Sequence, residues 1–94
     1  MEVRWSPRAA DDLAAIVAHI RRDDPAAAQR TAKAIYERAT ALSTFPNRGR
    51  EGRVPGTPEL PPPPLPFILV YRVLTYAVEI ANVIHGAQCW PGRD

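Results

Sequence analysis

Apolar and polar positions divide the chain into stretches of different period. From Glu2 to Ser6 they alternate, with Val3 and Trp5 on one face, which predicts a short first strand. After Pro7 the period changes. Leu13, Ile16, Val17 and Ile20 recur at helical spacing and form one apolar stripe. Ser6 suits the cap of this helix and Pro7 its first position, and Asp11 and Asp12 stand near the positive end of its dipole. His19 lies off the stripe and is expected in solvent. "RRDDPAAAQ" breaks the helix and starts another, with Asp24 as cap and Pro25 in first position. The second helix is expected from Pro25 to Phe45, with Ala28, Ala32, Ile35, Ala39 and Leu42 on its inner stripe. Small alanines let two helices approach closely, so the pair reads as an antiparallel hairpin that Pro46 ends.

From Pro46 to Pro66 the chain is loop-like and holds Arg48, Arg50 and Arg53. Pro61 to Pro64 lack N–H donors and favour an extended conformation, a stiff edge segment leading into the next strand. "PFILVYRV" is the clearest strand: Phe67, Leu69, Tyr71 and Val73 point one way, Ile68, Val70 and Arg72 the other. In "AVEIANVIH", strict alternation puts Val78, Ile80, Asn82 and Ile84 on one face and Glu79, Ala81, Val83 and His85 on the other. Both strands are apolar enough to be covered on much of both faces. The "LTY" between them has neither glycine nor asparagine, so the usual hairpin signal is missing. The pattern predicts an α+β fold: a small antiparallel sheet packed on an N-terminal two-helix hairpin, in the order β-α-α-β-β-β.

Ninety-four residues fit a single domain spanning 1–94. A chain of this size buries roughly 60% of its unfolded surface, which leaves little room for an enclosed cofactor site, and no cofactor is expected. No apolar run reaches the length of about 18 residues that a membrane span needs. "MEVRWSPRAADDL" lacks the order of a secretory signal, which points to the cytoplasm. Cys89 is the one cysteine, so no internal disulfide forms. The net charge of +2 is mild, but of the twelve basic residues only Lys33 is lysine. Arginine suits bidentate contacts to carboxylate or phosphate. The balance permits an acidic protein or a nucleic acid as partner.

Arg72 is the residue that folding alone does not call for. It shares a strand face with Ile68 and Val70, and a buried arginine needs a partner or a solvated opening. It either pairs with Glu79 or Glu59, or lines a concave face that receives phosphate or a carboxylate. His85 ends the β-branched run of "VIHGAQCWP". A metal site there would need further ligands, and only His19 and Cys89 remain, so no metal is expected. Acid–base chemistry is open to a histidine; spacing alone favours a strand-terminal residue bonded to backbone. Trp90 with Pro91 reads as an apolar plug folding the tail onto the domain, or, if exposed, as a partner surface. "NRGREGRVPG" has glycines but no helix start behind them, so it is no phosphate loop.

Together "WSPRAADDLAAIVAHI", "FPNRGREGRVPGTPEL", "LPFILVYRV" and "VEIANVIHGAQCWP" resemble the RelE/ParE superfamily of toxins from bacterial type II toxin–antitoxin systems. The resemblance covers nearly the whole chain and implies a toxin neutralised by a cognate antitoxin. RelE-like members cleave mRNA in the ribosome; ParE-like members poison DNA gyrase by binding and are not nucleases. In a nuclease, Arg72 and His85 match the catalytic arginine and histidine. In either case Arg48, Arg50, Arg53, Arg72 and Trp90 are the candidates for binding target or partner. The departures favour the ParE-like reading: Asn82 and Pro58 stand where relatives often carry arginine, and the terminal tyrosine of some nucleases is absent. A third reading is an inactive remnant that only binds antitoxin. The resemblance further implies an acidic antitoxin segment, helical against the hairpin and extended along a sheet edge or the Arg72 face.

Overall fold

The computed structural model describes residues 1–61 and 66–86. Strand β1 (Glu2–Trp5) leads into helices α1 (Pro7–Arg21) and α2 (Pro25–Thr40). Strands β2 (Glu59–Leu60), β3 (Phe67–Val73) and β4 (Ala77–His85) follow, in the expected order. Among the described residues the strands form one sheet, β1-β4-β3-β2. The β2–β3 and β3–β4 pairs are antiparallel, and β1 lies parallel to β4. The fold is α+β with the hairpin on the sheet, and the sheet is mixed. A parallel neighbour needs a long crossover, and everything between β1 and β4 serves as that connection.

Capping follows the sequence. The Ser6 hydroxyl accepts from the Ala9 N–H at 3.0 Å, and Asp24 Oδ1 accepts from Ala27 N at 3.0 Å, each with proline in first position. The second helix is shorter than expected: α2 ends at Thr40, and the chain tightens into a 3₁₀ turn over Ala41–Ser43. Pro46 disfavours helical backbone at Phe45 before it, so the last turn winds down early. Leu42 still reaches the core from that turn.

The main core lies between helices and sheet. Ala9, Ile35, Ala39 and Leu42 meet Leu69, Tyr71, Val78, Ile80 and Val83, with Val3, Trp5, Leu13, Ile16 and Phe67 at its margin. Ile68, Val70 and Ile84 make a smaller cluster on the other sheet face. One expectation fails here. β3 alternates as read, but β4 does not. Tyr71 pairs with Ile80 and Val70 with Asn82, so Ala81 is left without a β3 partner. This bulge reverses the faces beyond it. Val83 joins the core face of Val78 and Ile80, and Ile84 turns to the opposite side. A period of two cannot reveal one extra residue.

β1 covers the second edge of β4 only as far as Ile80. From there α1 takes over. Ser6 N bonds Ile80 O at 2.9 Å, and the Ser6 hydroxyl donates to Ala81 O at 2.9 Å. Asp12 Oδ2 accepts from the Val83 N–H at 3.0 Å and from Asn82 Nδ2 at 3.2 Å. Asp12 therefore holds the bulge rather than the first turn of its helix. Replacing it with alanine leaves a buried backbone donor without an acceptor, a cost of about 1–3 kcal/mol. Urea unfolding should show that loss for Asp12→Ala and a smaller one for Asp12→Asn, which keeps an acceptor.

Candidate functional site

The arginine-bearing loop is held at two points. The buried Tyr71 phenol donates to Pro46 O at 2.9 Å and accepts from Gly49 N at 2.8 Å. Gly49 sits so close that an added Cβ would stand 2.5 Å from that oxygen. Further on, Arg50 and Glu59 exchange both backbone bonds, at 2.9 and 3.0 Å. Between them Pro55 and Gly56 make a tight turn, Thr57 N bonding Val54 O at 3.1 Å. Gly56 takes the positive φ of 79° that proline-glycine turns require.

Glu59 neutralises much of this loop. Its side chain is 2% exposed, accepts from Arg53 N at 3.0 Å, and has the Arg50 and Arg53 guanidinium groups at 3.6 and 3.8 Å. A carboxylate this buried needs such partners. Arg48 differs: it is exposed, and among the described residues no ion pair involves it. Arg72 is also exposed rather than buried, and its guanidinium bonds the Glu79 carboxylate across the strand pair. Arg4 lies in register with Glu79 on β1, so one row of the sheet reads Arg72, Glu79, Arg4.

His85 is elsewhere. It ends β4 in register with Phe67, whose ring it meets edge-on at 5.6 Å between centroids. It lines a recess of 410 Å³ with Ile16, His19, Ile20 and Phe67, on the helix side of the sheet. Because of the bulge it shares a face with Val83, not with Glu79. Arg72 is on the opposite face, five residues further along β3, a displacement of roughly 17 Å. The two cannot meet one phosphate. Trp90 and Cys89 lie outside the described residues, as do Pro62–Pro64. No group of three or more metal-ligating side chains occurs among the described residues.

An apolar groove of 470 Å³ runs beside the helices, lined by Trp5, Leu13, Ala14, Val17 and Tyr36, with Arg21 at its rim. The Trp5 and Tyr36 rings stack, 6.3 Å apart and 7° from parallel. Tyr36 is 58% exposed. Neither it nor Phe45 nor Tyr76 stood out from periodicity. The available signal was a large aromatic ring at a position the apolar stripe does not use.

A two-helix hairpin over a four-stranded mixed sheet, with a solvent-exposed arginine row and an apolar helix groove, defines a small α+β domain. Comparison with known proteins gives it a family. The family model for the ParE toxin of the type II toxin–antitoxin system parDE matches residues 3–90. Y4kP of Sinorhizobium fredii, named as a toxin, is 42% identical over 89 residues, 95% of this chain and 92% of its own. Toxin RelE2 of Caulobacter vibrioides is 36% identical over 87 residues, 93% and 97% of the two chains. A solved structure of the chromosomal ParDE system from P. aeruginosa superposes with a TM-score of 0.84 at 30% identity, covering 90% of this chain and 95% of that one. The chain belongs to the ParE toxin family, within the RelE/ParE superfamily, and is a toxin of the type II toxin–antitoxin class. None of its described helices is long and apolar enough to cross a membrane.

Burial pushes the Tyr71 phenol above its ordinary value, and the Gly49 N–H opposes the shift. The folded protein thus keeps a proton that the unfolded chain releases near pH 10. Stability from this source is full below pH 10 and falls as pH rises toward the folded value. Tyr71→Phe should lose about 1–3 kcal/mol at pH 7, because Pro46 O and Gly49 N lose their partner. It should also lack this contribution to alkaline destabilisation; denaturant titrations of both proteins from pH 8 to 11 measure the two effects.

Proposed function

We propose that this toxin arrests growth in the cytoplasm by binding DNA gyrase, without cutting RNA, and that a cognate antitoxin neutralises it. The separation of Arg72 from His85 carries this reading. A general acid–base residue and a phosphate-stabilising cation must act within hydrogen-bond reach of the same group. Here they occupy opposite faces of the sheet, and Arg72 is neutralised by Glu79. Arg50 and Arg53 are likewise engaged by Glu59. The family match to ParE supports the same choice, since the ParE-like branch acts by binding. The ribosome-dependent nuclease reading has one observation behind it, the relative named RelE2.

Purified protein at micromolar concentration should inhibit gyrase supercoiling and trap cleaved DNA. RNA from arrested cells should stay intact, and His85→Ala should still arrest growth. Codon-linked cuts that disappear in His85→Ala would establish the nuclease instead.

For the antitoxin, the groove lined by Trp5 and Tyr36 offers an apolar floor with Arg21 beside it. An amphipathic acidic helix fits this chemistry. The open edge of β1 can then take its extended continuation, because the outer side of β2 is already bridged to Arg50. Tyr36→Ala should weaken antitoxin binding by about tenfold or more, as loss of an aromatic anchor does. Association in stopped flow should slow as salt screens the arginines.

A further inference from the structure

Six large hydrophobic residues are exposed among the described ones, and five occupy one end of the sheet. Tyr76 is 84% exposed, Phe45 59%, Met1 46%, Val73 41% and Leu74 40%. Their proximity follows from register and bonding. Glu2 pairs with Ala77, which sets Met1 beside Tyr76. Leu74 N bonds Ala77 O at 2.7 Å and closes the β3–β4 turn, with Val73 opposite Val78. The Ser43 hydroxyl donates to Met1 O, and the Tyr71–Pro46 bond ties the segment after Phe45 to the end of β3.

Folding does not account for this patch. The turn "LTY" carries none of the residues that tight hairpins favour. Its side chains lie largely outside the core, where polar residues would serve the fold equally well. Clustered exposed apolar groups of this kind mark an interaction site.

We propose that this end of the sheet, with Tyr76 as anchor and Leu74, Val73, Met1 and Phe45 around it, is the surface by which the toxin grips its target. The target surface is a protein's apolar recess with an acidic rim. The proposal rests on the reading above that the toxin acts by binding. An exposed aromatic tip flanked by aliphatic carbon gains most from burial in a preformed protein pocket. Nucleic acid is the poorer occupant: Val73 and Leu74 gain nothing from phosphate, and the neighbouring Arg72 is paired with Glu79. Arg48, exposed and bonded through its backbone to Phe45 at 3.2 Å, sets the sign of the rim. A second copy of this chain is disfavoured for the same reason, because a two-fold contact would set Arg48 against the matching patch with its own Arg48.

The test is the variant Leu74→Ser with Tyr76→Ser in the full chain, compared with wild type for growth arrest, antitoxin affinity and sedimentation. Both side chains are exposed, so unchanged circular dichroism and antitoxin affinity will show that the fold persists. We expect arrest to be lost, and affinity for the purified target to fall by about tenfold or more. Arrest equal to wild type overturns the proposal and leaves the toxin reading standing. Loss of antitoxin binding with the fold intact assigns the patch to the antitoxin, and dissociation of a wild-type dimer assigns it to self-association; either overturns the proposal. If wild type arrests growth but leaves gyrase untouched, only the gyrase assignment fails, and the variant's growth still decides the patch. A wild type that never arrests growth overturns both readings.

Discussion

β4 is an interior strand of a sheet whose first strand is too short to cover it. β1 stops at Trp5, opposite Ile80, and β4 runs on to His85. Exposed ladder groups on a buried strand are costly, so something must satisfy them. Ser6 and Asp12 do so from the first half of α1. The same Ser6 oxygen caps α1, so the start of the helix and its position on the sheet are set by one side chain. With α1 fixed there, Ala9 seats against the core and α2 follows through the short Arg22–Asp24 connection. The groove lined by Trp5 and Tyr36 is a by-product of that docking, since β1 supplies one wall and the helices the others.

The bulge at Ala81 links this constraint to the chemistry of the surface. By reversing the faces of β4 it sends His85 toward α1 and Phe67, and leaves Glu79 opposite Arg72. A bulge-free β4 would place His85 and Glu79 on one face. The arginines of the sheet and two of the three on the long loop, Arg4, Arg72, Arg50 and Arg53, are matched by carboxylates. The pairs whose two partners are both solvent-accessible, such as Arg72 with Glu79, contribute little to stability, roughly 0–1 kcal/mol each, whereas buried Glu59 depends on its partners. Their effect is to remove free positive charge from the sheet, and of the arginines between α2 and β3 Arg48 is the one without an ion pair among the described residues.

The exposed apolar groups among the described residues concentrate in two places. One is the helix groove, shallow and walled by stacked rings; the other is the end of the sheet, where Tyr76 projects. They differ in form: a groove accepts a helix, whereas a projecting tip enters a recess. A small toxin that must be held by one partner and act on another has use for two surfaces that do not overlap.

Much of this was written in the sequence. Ser6-Pro7 and Asp24-Pro25 announced both helix starts, because capping chemistry is local. "FILVYRV" and "AVEIANVIH" announced the strands through β-branched content, and the four quoted segments carried the family. The parallel seating of β1 and the bulge at Ala81 were not legible, because each depends on contacts between distant residues. Asp12 shows the difference. In sequence it is an acidic residue near a helix start, suited to the dipole; in the fold it is the acceptor for a strand some seventy residues away. Arg72 shows it again, since strand pairing alone decided which carboxylate it would meet. Local propensity and period therefore set the elements, and tertiary register, which moves every side chain with each single-residue shift, decided the site.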